Sequence, residues 1–139
     1  MVRSPVTAVA CIAAAVFVPA AVYAQTCGAD MPGAQRAESV RYTVAFRLVP
    51  PAPALSKHFS VEVAICPKGG APEPEALRVD ARMPAHGHGM NYTAQVKSLG
   101  GARYRADGLL FHMPGQWEFL FDVVIGKTAE RVTYGISYP

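Results

Sequence analysis

Ala76-Leu77-Arg78-Val79-Asp80-Ala81-Arg82-Met83 passes from apolar to charged and back at almost every step. A strand points successive side chains to opposite faces, so Leu77, Val79, Ala81 and Met83 share one face, and Arg78, Asp80 and Arg82 share the other. The stretch predicts a strand that is dry on one side and wet on the other. An apolar face of this kind needs a second layer to cover it.

The same period of two recurs on both sides. In Ser39 to Val49, the residues Val40, Tyr42, Val44, Phe46 and Leu48 fall on one face, and Arg41, Thr43 and Arg47 on the other. His58 to Cys66 places Phe59, Val61, Val63 and Ile65 together. Thr93 to Leu99, Arg103 to Leu110, Trp117 to Ile125 and Glu130 to Tyr138 complete the set, with Trp117 as a core anchor. Between the runs stand Pro50-Pro51, the Pro67 to Pro74 segment, Gly100-Gly101, Pro114-Gly115 and Gly126-Lys127, which break ladders and make turns. No run has the spacing of an amphipathic helix. Six or seven short strands with these turns predict an all-β, immunoglobulin-like antiparallel β-sandwich, preceded by an irregular lead-in from Gln25 to Glu38.

The chain has 139 residues. Residues 1–24 read as a signal peptide: Arg3 supplies the positive start, Val6 to Val18 the apolar run, and Val22-Tyr23-Ala24 the cleavage site. One domain, 25–139, remains. Export to the periplasm follows, with membrane attachment only if the N-terminal segment stays uncleaved. The formal charge is +3, and the Lys and Arg residues are interleaved with Asp and Glu, which argues against a nucleic-acid partner. Of three cysteines, Cys11 lies in the signal, leaving Cys27 and Cys66. An even pair in an exported protein predicts a disulfide between them; the alternative use is as thiolate metal ligands.

Directly after Met83 comes Pro84-Ala85-His86-Gly87-His88-Gly89-Met90-Asn91, and later Phe111-His112-Met113-Pro114-Gly115. Imidazole suits copper in both oxidation states, and thioether suits Cu(I). In extended backbone His86 and His88 project to one side, and the glycines leave the loop free to bend. His86, His88, Met90, His112 and Met113 are therefore the candidate metal ligands, copper the expected ion, and Met83 a contributor from below. The site requires the two loops to meet at one end of the sandwich. Each residue has a plainer reading: a His-x-His pair often marks only a polar loop, and methionines such as Met83 and Met113 fill core edges. His58 begins a strand and reads as a surface residue. Zinc hydrolases that begin with His-x-His continue with an Asp-His pair, whereas Gly89, Met90 and Asn91 offer no general base. No nucleophile elbow or phosphate-cradling loop is present, so no enzyme is expected. Asp107 and Asp122 suit turn or edge roles.

The segment from Asp80 to Met90, then Gly100-Gly101-Ala102-Arg103-Tyr104, then Leu110 to Glu118, resembles the YtkA-like domain family, which is related to the FixH family. The resemblance covers about residues 75–125. It implies an exported or membrane-tethered immunoglobulin-like sandwich near copper handling and respiratory-oxidase assembly. It implies no enzymatic activity. The expectation is an exported copper carrier or buffer; the alternative is a metal-free module that docks on a periplasmic partner protein.

Overall fold

A computed structural model describes residues 26–139; residues 1–24, expected to be a signal peptide, lie outside the described residues. The chain forms nine strands: β1 (Gln35–Glu38), β2 (Tyr42–Val49), β3 (His58–Pro67), β4 (Ala76–Met83), β5 (His88–Gly89), β6 (Gln95–Gly100), β7 (Arg103–Leu110), β8 (Gly115–Ile125) and β9 (Thr128–Tyr138). They make two antiparallel sheets, ordered β1-β2-β3-β7-β6 and β5-β4-β8-β9. Setting aside the short β1 and β5, the order is that of the immunoglobulin sandwich. One sheet has β2, β3, β7 and β6 in the places of A, B, E and D, and the other has β4, β8 and β9 in those of C, F and G. The all-β sandwich expected from the alternation is the fold. The only helical element among the described residues is a 3-10 turn at Pro84–His86. No helix there is long and apolar enough to cross a membrane.

The inward faces read from the sequence are the buried ones. Leu77, Val79, Ala81 and Met83 are buried on β4; Phe59, Val61, Val63 and Ile65 on β3; and Phe119, Phe121 and Val123 on β8. Trp117 is 1% exposed and packs at a tilt against Phe111, whose ring also meets Phe59 and Tyr138. Phe46 packs between Phe119 and Phe121, joining the sheets at mid-height.

Three details differ from the expectation. Val40 is 91% exposed, because Ser39 bonds to Tyr42 through both backbone and hydroxyl and so places Val40 at the tip of a tight turn before β2 begins. The two strands beyond the expected seven are a four-residue edge strand inside the lead-in and a two-residue strand after the 3-10 turn, both too short to show a period. On the outer face of β2 and β3, Ala45 and Ala64 are buried under Met31, with Cys27 and Ala34 alongside. Alanines there leave room for the N-terminal segment to lie flat on the sheet. Cys27 and Cys66 form a disulfide that fastens the segment, closing a loop with a sequence separation of 39.

Candidate functional site

Antiparallel strands alternate in direction, so the end of β4, the end of β7 and the start of β3 arrive at the same end of the sandwich. The two His/Met loops therefore meet. After Met83 the chain makes the 3-10 turn Pro84–His86, opened by a proline whose missing N–H costs nothing at that position. Gly87 closes the turn in the left-handed region at φ 65°, with its N–H donating to the Met83 carbonyl at 3.1 Å. The loop is thus tighter than the extended backbone expected. His88 then pairs with Met83 as β5. The His86 and His88 ring centres lie 5.6 Å apart.

On the other loop, buried Phe111 plugs the end of the core, and its carbonyl accepts the Ser56 N–H at 2.8 Å. This holds the backbone of His112, whose ring centre lies 5.1 Å from that of His88 and meets the Trp117 ring edge-on at 5.2 Å. The Trp117 indole N–H donates to the Met113 carbonyl at 3.0 Å and fixes the turn. The result is a row of three imidazoles: His86 and His88 exposed, and His112 half-buried at the inner end.

Each neighbouring pair, at 5.6 and 5.1 Å between ring centres, is close to the spacing of two imidazoles on one ion, with His86 and His112 at opposite ends of the row. With nitrogens about 2 Å from the ion, ring centres stand roughly 4.5–5.5 Å apart. The rings are tilted by 41° and 37° to their neighbours, and among the described residues no three His, Cys, Asp or Glu side chains already converge on one point. Convergence takes rotation of the side chains about χ1 and χ2, which the exposure of His86 and His88 permits. The chemistry of the inner end fits an ion: His112 Nδ1 is buried with no hydrogen-bond partner. An orphaned polar atom of this kind costs about 1–3 kcal/mol unless something meets it.

The methionines are placed differently. Met83 is 1% exposed, and its methyl occupies the space a Cβ on Gly115 would need, so it is a core residue at the foot of the site. Met90 Sδ accepts the Leu110 N–H at 3.4 Å, and its own N–H donates to the Ala81 carbonyl at 3.1 Å. Met90 and Met113 are both partly buried against the main core.

His58, read as a surface residue, is exposed but stands at this same end, opposite Leu110 in register, with its ring edge-on to Tyr92 at 4.8 Å. All four histidines thus gather at one end. Strand direction alone could have signalled this, since the start of β3 shares an end with the finish of β4. Asp107 and Asp122 sit in surface ion pairs, Asp107 with Arg105 and Asp122 with Arg131 and Arg78, and Asp107 also accepts a hydrogen bond from the Ser60 hydroxyl. Hydrogen bonds from Ser60 and from Arg131, respectively, hold the two carboxyls below the usual carboxylate range.

No family model matches the chain, and no curated protein matches it. Among solved structures it is similar to a DUF4426 family protein from Pseudomonas aeruginosa PAO1, at 16% identity and a TM-score of 0.52 over 78% of this chain and 98% of that one. At that identity the likeness concerns the sandwich alone.

Proposed function

We propose that this is an exported copper-binding protein, a carrier or buffer in the periplasm linked to copper handling or oxidase assembly, as the resemblance to YtkA-like domains implies. It is not an enzyme in this reading. Residues 1–24 direct export, and His86, His88 and His112 hold the ion. The observation that carries the reading is the row of three imidazoles ending at a buried, unpartnered His112 Nδ1. The disulfide is compatible with an oxidising compartment. Metal analysis of the protein purified from the periplasm of copper-fed cells tests it: copper is expected in the parent and absent from a His86→Ala/His88→Ala variant. Equal copper in both would sink the assignment.

A second reading, a metal-free docking module, draws support from the surface around the same site. Residues 50–56, 84–94 and 111–116 contain no Asp, Glu, Lys or Arg, and Leu55 and Tyr92 are 40% and 49% exposed there. A partner captured equally well with and without a chelator would favour this reading over the first.

A further inference from the structure

We propose that the site takes copper in its divalent state through imidazoles alone, and that Met90 is a latch on the loop and not a ligand. This rests on the copper reading above and narrows it to an oxidation state and a donor set. The sequence offers three thioethers beside the histidines, and thioether sulfur is the donor that draws Cu(I). The fold occupies two of the three. Met83 is 1% exposed and packed against Gly115. Met113 lies partly buried against the core, and its turn is fixed by the Trp117 N–H on its carbonyl, so its sulfur is the one the Met113→Leu variant has to test.

Met90 is the informative case. Its sulfur accepts the Leu110 N–H at 3.4 Å, and Leu110 is 7% exposed. Moving that sulfur to a metal would strand a donor inside the fold. Through this contact and the Met90 N–H to Ala81 carbonyl bond, Met90 ties the His86–His88 loop to both sheets, because Leu110 ends β7 and Ala81 lies on β4. Tyr92, edge-on to His58, adds a second tie on the same loop. On the open side stand the exposed rings of His86 and His88, and the buried Nδ1 of His112 lies unpartnered behind them. A nitrogen donor set selects Cu(II) over the other divalent first-row ions, zinc included, by the ordinary affinity order.

The test is a chelator-competition titration of the purified protein with Cu(II), Cu(I) and Zn(II), repeated with Met90→Leu, Met113→Leu and His112→Ala. Cu(II) should bind at least about tenfold more tightly than Zn(II). The two leucine variants should stay within about twofold of the parent for Cu(II), and His112→Ala should lose about tenfold or more. X-ray absorption on the parent's copper form reads the same point without a variant, which matters if Met90→Leu loosens the loop: a shell of nitrogen and oxygen supports the proposal, and a sulfur shell overturns it. Tight Cu(I) binding that falls about tenfold in Met90→Leu would overturn it while leaving the copper reading intact. A parent that binds neither oxidation state would overturn both.

Discussion

At one end of the sandwich the loops are bonded to one another. Cys27 is joined to Cys66, the Glu130 carboxylate takes both the backbone N–H and the guanidinium of Arg41, Arg103 pairs with Asp30, and the Tyr42 hydroxyl donates to the Pro72 carbonyl. At the other end residues 84–94 and 111–116 carry no charge at all, and the contacts are ring on ring or through a sulfur. Both ends terminate the same strands, so strand geometry is common to them. What differs is whether the polar groups are satisfied. The disulfide end pairs its donors and acceptors, whereas the histidine end leaves His112 Nδ1 buried and unpaired. Polar groups that a fold leaves unpaired are where it keeps the capacity to bind something else.

Removing the disulfide should break this contrast most severely. In the chain-entropy view, a cross-link across a separation of 39 residues restricts the unfolded chain by about 4 kcal/mol. A Cys27→Ser/Cys66→Ser variant should lose roughly 2–4 kcal/mol in urea unfolding. The row of imidazoles lies at the far end, so copper affinity at a temperature where the variant is folded should match the parent's. A variant that melts like the parent would show that the N-terminal segment holds to Ala45 and Ala64 without the bond. A variant that stays folded yet loses copper would show that the two ends are coupled.

The sandwich was legible in the sequence because one physical fact, the period of two, repeats over seven segments and is hard to mistake. Leu77, Val79, Ala81 and Met83 are buried because each lands on the same side of one strand. The cysteine pair was legible from the even count left once residues 1–24 are read as a signal. The meeting of the two loops could be inferred only conditionally, because it depends on which end each strand finishes at. The methionines were beyond sequence reasoning. A thioether can be a ligand, a filler or an acceptor, and a sequence does not show that the Leu110 N–H stands 3.4 Å from the Met90 sulfur. Val40 fails for a similar reason: alternation continues through it, and the Ser39–Tyr42 turn, a matter of two hydrogen bonds, takes it out of the strand.

A smaller effect should appear at the histidine end, and with the opposite sign. His112→Phe keeps a flat ring against the edge of Trp117 and removes the buried nitrogen that has no partner. Leaving such an atom unsatisfied costs about 1–3 kcal/mol, so the variant should be more stable than the parent by about 1 kcal/mol once imperfect packing is allowed for. Copper binding should fall in the same variant. Stability gained with binding lost is the mark of a residue kept for function. Thermal unfolding and copper titration on one preparation would read both, and a destabilised His112→Phe would mean that the imidazole serves the fold.

The smallest effect separates the ends by pH. Hydrogen bonds from Ser39 and then Arg41 hold the Glu130 carboxyl down to about 2, from an ordinary value of 4.5. Its charged form is therefore favoured by folding. The stabilisation is fully present above about pH 4.5 and disappears as pH falls toward about 2, because the unfolded chain takes up the proton first. Arg41 is 43% exposed, so solvent screens the pair and its contribution at neutral pH is small. Glu130→Gln should lower stability slightly at pH 7, and the gap from the parent should close as the pH approaches about 2. Asp122 and Asp107, also held low by their partners, leave the variant with some acid sensitivity of its own, so the difference between the two curves carries the result. Urea unfolding at pH 7, 4 and 3 would show it. A gap that stays constant over that range would mean that the Arg41–Glu130 pair holds the disulfide end by packing and not by charge.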